Sequence, residues 1–159
     1  MSLFETTTAM AAGIAPGTAV GQTAETRTNI FEMSQAAEDA VLRPRDTGPW
    51  PHDLRAALAA RIARLNGEEA LALRYQATAG SFAPLADPST DGKAEGYGAV
   101  LAFMDRVAAR TRDVAASDIA DLQAVGVADA DIVRLAELNA YFAYQMRVVT
   151  GLRLIGADI

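Results

Sequence analysis

The chain is expected to be all-α, and three observations predict it. Apolar residues recur at spacings of three and four in segment after segment. No stretch keeps a two-residue alternation, and runs of β-branched residues are short. Alanine is abundant, which favours helix and lets helices approach closely. With 51% of 159 residues hydrophobic and 21% charged, the chain has enough apolar material for one domain with a real core.

Residues 1–24 are rich in Thr, Ala and Gly. They read as an N-terminal arm without periodic structure, either a loose terminus or a segment laid on its own domain or on a neighbouring subunit. A single helical domain is expected over residues 25–159. From Glu25 to Leu42 the spacing predicts a helix with Ile30, Met33, Ala37, Ala40 and Val41 on its inward face. Pro44 and Asp46-Thr47-Gly48-Pro49 end it. Pro51 suits the first turn of a second helix, and Asp53 adds a favourable negative charge there. Leu54, Leu58, Ile62 and Leu65 stripe one side of that helix, with Arg55, Arg61 and Arg64 on the other. Asn66-Gly67 breaks it, and Glu68 and Glu69 open a third helix that runs to about Thr78.

Ala83 to Gly92 holds two prolines and reads as a loop between two halves. A fourth helix follows from about Ala94 to Arg112, striped by Val100, Leu101, Met104 and Val107. Ser117 can cap a short fifth helix, with Ile119, Leu122 and Val125 inward and Gly126 as its stop. Asp129 can cap the sixth and last, from Ala130 to about Leu154. One of its faces carries Ile132, Leu135, Asn139, Phe142, Met146 and Val149, and another Val133, Ala140, Tyr144, Val148 and Leu152. A helix apolar nearly all round belongs in a core or at a subunit interface.

Composition excludes several chemistries. A net charge of −6 gives no basic field for phosphate, so nucleic acid is not an expected partner. With no cysteine there is no disulfide, thiolate metal site, iron–sulfur cluster or thiol nucleophile. One histidine cannot build a multi-histidine metal site, and no Glu-x-x-His pair is present. Gly13, Gly17 and Gly21 lack the strand that a phosphate-cradling loop requires. No metal and no cofactor are therefore expected. The first residues have no cationic region and carry Glu5, which does not suit a secretory signal. No stretch approaches the ~20 apolar residues that span a bilayer. A cytoplasmic location, without membrane contact, is the expectation.

Three clusters can carry chemistry. His52, in Trp50-Pro51-His52-Asp53, is either a partly packed histidine near a turn or a proton-transfer group. Trp50 reads as a packing anchor. Glu68 and Tyr75 are seven residues apart, so they face the same way, with Leu71 between them and Arg74 alongside. They are either a helix-start acid and a half-buried phenol, or a site in which a desolvated Glu68 acts as base. On the last helix Glu137, Asn139, Gln145 and Arg147 either tie helices together or fix a ligand in an apolar cavity.

The stretch from Leu54 through Asn66-Gly67-Glu68-Glu69-Ala70-Leu71-Ala72-Leu73-Arg74-Tyr75 resembles the central motif of the AhpD-like, carboxymuconolactone-decarboxylase (CMD) superfamily. There a helix ends in Asn-Gly-like residues, followed by Cys-x-x-Cys, three residues and a histidine. Glu68 stands at the first cysteine position, Leu71 at the second and Tyr75 at the histidine position. The upstream relay glutamate would fall near Arg55 or Ala56. The segments 118–127, 131–133 and 142–152 are similar to the closing helices of peroxidase-related members, and 12–17 resembles a cysteine-poor branch.

The resemblance implies an all-helical, AhpD-like bundle, a homo-oligomer (dimer, trimer or hexamer) and a peroxiredoxin or alkylhydroperoxidase label. The residues oppose that label, since a carboxylate at Glu68 cannot form a sulfenic acid. Two readings follow. The first is a divergent small-molecule binder or acid–base enzyme, a cysteine-independent decarboxylase, lyase or isomerase, with Glu68, Tyr75 and His52 as its catalytic candidates. The second is a non-catalytic oligomeric protein whose apolar helices serve assembly.

Overall fold

The computed structural model describes residues 2–157. It is all-helical, with no strand among the described residues. The helices are α1 (Thr7–Ala12), α2 (Ala19–Glu25), α3 (Thr28–Leu42), α4 (His52–Leu65), α5 (Glu69–Gln76), α6 (Gly98–Ala109), α7 (Ala116–Ala124) and α8 (Asp129–Gly156). Short 3-10 turns lie at Leu3–Glu5, Gly80–Ala86 and Thr111–Asp113. The class is as expected, but the helices outnumber the six predicted.

The N-terminal arm departs from its expectation most. Two of its threonines are helix caps: the Thr6 side chain accepts from the Ala9 N–H, and that of Thr18 from the Gly21 N–H. Each satisfies a donor that a helix start leaves open. Gly13, at φ 72°, closes α1 in the left-handed conformation glycine tolerates best. The arm lies on its own domain. Leu3, Ala9, Ile14, Ala24 and Phe31 form a small second core, against which Leu152 of α8 packs.

The main core surrounds α4, whose residues Leu54 through Ile62 are all buried. It packs against α3, α5, the 80–86 turn, α6 and α8. The arginine side of α4 is drawn into this packing, with Arg55 and Arg61 both buried. Arg55 donates to the carbonyls of Trp50, Val41 and Thr47. Arg61, 2% exposed, donates to both Asp105 carboxylate oxygens and to the carbonyls of Leu85, Asp87, Pro88 and Thr90. A guanidinium carries five donors in a fixed fork, so one buried arginine can satisfy a loop that has no ladder of its own. The segment 83–92 is thus stitched to α4, in place of the boundary between halves that its prolines suggested.

Helix α3 is rotated from its expected orientation. Phe31, Ser34, Glu38 and Leu42 face inward, whereas Met33 is 65% exposed and Ala37 and Ala40 face outward. The reason is Glu38, whose carboxylate accepts from Thr7 Oγ1 (2.9 Å), Gln145 Nε2 (2.6 Å) and Tyr141 O–H (3.2 Å). Three donors compensate its burial, and α3 turns to present it. Ser117 does not cap α7; the helix starts at Ala116, and Asp118 accepts from the Ala115 N–H instead. Val125, expected inward, is 65% exposed. Asp129 is the first residue of α8, after Ala128 as cap. The Ile132–Val149 face of α8 is buried, while Val133, Ala140 and Tyr144 on its second face are exposed.

Candidate functional site

The turn Asn66-Gly67 sets the position of Glu68. Asn66 ends α4, its side-chain amide donating back to the Ile62 carbonyl. Gly67 then takes φ 77°, a region a side chain disfavours, so the chain reverses within two residues and delivers Glu68 at the cap of α5. The carboxylate of Glu68 is nearly buried. Both of its oxygens accept from Arg153 Nη1, at 2.8 and 2.9 Å. The same guanidinium holds the Ala11 carbonyl at the end of α1. Glu68 therefore links α5, α8 and the arm.

Beside it lies a groove of about 400 Å³ between the α4–α5 turn, the end of α6 and the C-terminal half of α8. Ala108, Ala143 and Met146 give it an apolar floor. Asn66, Glu68, Thr111, Arg147 and Thr150 are its polar groups. An apolar hollow with a few convergent polar groups is the usual form of a ligand site.

Tyr75 occupies a different place. Its hydroxyl donates to Gln145 Oε1 at 2.9 Å, and its ring meets Phe142 edge-on with centroids 5.0 Å apart. Burial, reinforced by the Glu38 charge, pushes the phenol far above its ordinary value, so it acts as a neutral donor. Tyr141 is pushed up for the same reasons in the same order. Tyr75 also borders a smaller hollow of about 260 Å³ together with Glu38 and Arg74, whose guanidinium donates to Thr7 Oγ1.

The three expected site residues do not converge. Glu68 and Tyr75 both reach α8, but their partners Arg153 and Gln145 stand eight residues apart, about 12 Å of helix. Leu71 is buried between them as packing. His52 opens α4 whereas Glu68 follows its end, so roughly 20 Å of helix separates them. The His52 ring lies exposed, its Nε2 3.0 Å from the Pro44 carbonyl oxygen. Trp50 is an anchor, donating through Nε1 to the Asp131 carbonyl.

Glu38 and Arg153 were not foreseen as site groups. Glu38 sits at the spacing Phe31, Ser34, Glu38, Leu42, but a face half polar gives no hydrophobic periodicity. Among the polar residues of α8, Asn139 donates to the Met104 carbonyl and Gln145 joins the Glu38 network. Glu137 and Arg147 are exposed. No group of three His, Cys, Asp or Glu among the described residues is placed to hold a metal ion. No helix among them is long and apolar enough to cross a membrane.

Comparisons with protein-family models, with curated proteins and with solved structures match nothing to this chain.

Proposed function

We propose that this chain is a thiol-free, AhpD-like protein that binds a small molecule in the groove beside Glu68. The observation that carries the reading is the groove itself: an apolar floor with Glu68 and Arg147 among its polar groups, at the position where the motif resemblance puts the first reactive residue. Binding is better supported than turnover. Both Glu68 oxygens are engaged by Arg153, and neither Tyr75 nor His52 reaches the groove. General acid–base catalysis needs a group within hydrogen-bond reach of the reacting proton. If acid–base chemistry does take place there, Glu68 is the residue to act, released from Arg153 by the incoming ligand.

The test is native mass spectrometry of the protein purified gently from its own cells. A small molecule carried by the folded protein and lost on denaturation is the expected result. Unliganded protein that also takes up no compound from a broad metabolite screen would sink the reading. The absence of cysteine adds a second expectation: metal-free protein does not turn over alkyl hydroperoxides.

A second reading, assembly into a homo-oligomer, is favoured by the outward faces of α3 and α8. These helices are tied side by side by Ser34 Oγ and Tyr144 O–H, 2.8 Å apart. Met33, Val133 and Tyr144 are 65%, 55% and 40% exposed, with Ala37 and Ala140 also outward. Apolar surface gathered on one face marks an interaction site. The two surfaces adjoin on one side of α8, since Arg147 and Gly151 of the groove follow Tyr144 by three and seven residues, while Val133 and Ala140 lie toward the helix start.

A further inference from the structure

Two features of the groove have no use within the fold. The first is Arg147, which lines it and makes no hydrogen bond or ion pair among the described residues. Glu68, the acid in the groove, is already matched by Arg153, so the unmatched charge there is positive. The adjoining hollow, which shares Thr111, adds Arg110 and Arg112 against one acid, Asp113. In a chain of net charge −6, this local excess runs against the whole.

The second feature is Gly151. It lies inside the 28-residue α8, where glycine weakens the helix. A Cβ built there meets nothing within 4 Å, so no contact among the described residues demands a glycine. Its bare backbone lines the groove and leaves open the volume that a side chain would fill.

We infer that the groove takes a small organic anion, a monocarboxylate with an apolar body. Its carboxylate meets Arg147, and its body lies on Ala108, Ala143 and Met146 over the space at Gly151. A guanidinium matches a carboxylate through two parallel N–H donors, and the rim threonines offer further donors. The inference rests on the binding reading above and specifies its ligand class.

The experiment is calorimetric titration of the full chain with octanoate, phenylacetate and 3-phenylpropionate, and with the primary amide of each. At least one acid is expected to bind about tenfold or more tightly than its amide, because the amide keeps the shape and loses the charge. Arg147→Gln removes that preference without lowering the melting temperature, since Arg147 supports nothing in the fold. Gly151→Leu abolishes binding and leaves the melting temperature equal or higher, leucine being the better helix former.

Equal binding of acids and amides, or an unchanged preference in Arg147→Gln, overturns the anion assignment and leaves a binding groove standing. Failure of every acid to bind also overturns it; co-purification of a neutral compound then retains the binding reading, and its absence removes both. An oligomer that Gly151→Leu dissociates overturns it in a third way, by showing that a second copy fills the groove.

Discussion

Tyr75 and Tyr141 hold two of the four phenols of this protein inside the Glu38 network. Burial opposes the phenolate, so the folded state keeps these protons at a pH where the unfolded chain has lost them. Above the unfolded value of 10.0 the unfolded state binds fewer protons, and stability falls as pH rises. Below that value the contribution is fully present. Each phenol contributes a slope of about 1.4 kcal/mol per pH unit above about 10. Denaturant midpoints between pH 8 and 11 should therefore drop steeply past 10. Tyr75→Phe should cost about 1–2 kcal/mol at pH 8, by leaving Gln145 Oε1 without its donor, yet should make the alkaline fall shallower. An unchanged slope in Tyr75→Phe would show that this proton is not linked to folding.

At the scale of elements, α4 and α3 show what could be read from the residues. The inward positions Leu54, Leu58 and Ile62 of α4 follow from helical spacing, and so do Val100, Leu101 and Met104 of α6. The destination of the arginines does not. Arg61 looks like a solvated residue until the carbonyls of the 85–90 segment are placed around it, and those are distant in sequence. In α3 Met33, Ala37 and Ala40 face out and the carboxylate of Glu38 faces in between Phe31 and Leu42, because Glu38 finds its donors on α1 and α8. Hydrophobic periodicity reports only what packs against apolar partners, so a face settled by hydrogen bonds is hidden from it. The threonine caps of the arm were legible in principle, since Thr6 and Thr18 each precede a short helix that ends near a glycine or polar run. The groove was legible at Glu68 and Arg147, but the separation of Glu68 from Tyr75 and His52 needed the third dimension.

Arg61 allows a test at this scale. Arg61→Met keeps the aliphatic stem and removes every donor, leaving Asp105 unpaired and the carbonyls of Leu85, Pro88 and Thr90 without a partner. Breaking such a pair from one side costs about 3–5 kcal/mol when both ions are buried. Asp105 is 28% exposed, so the lower end, about 3 kcal/mol, is expected. Urea denaturation measures it, and amide exchange should speed up in residues 80–92 before the rest of the chain. A loss under about 1 kcal/mol would mean that the segment holds to α4 by packing alone.

For the whole molecule, the outward faces of α3 and α8 are the surface of the proposed assembly. Within one chain, Met33 and Ala37 contribute little to burial, so their apolar character needs a cause outside the chain or none at all. Ala37→Glu separates these cases. Ala37 is exposed on a helix whose inward face is Phe31, Ser34, Glu38 and Leu42, so the charge should change chain stability by under about 0.5 kcal/mol. In an oligomer joined through this face, the same glutamate would be desolvated without a partner and drive dissociation. Light scattering at micromolar concentration should then show a discrete oligomer for the unmodified chain and a monomer for Ala37→Glu, both with the same helical content. A monomer in both cases would remove the assembly reading. An oligomer in both would move the interface elsewhere, with the groove beside Glu68 the next surface to test, through Gly151→Leu.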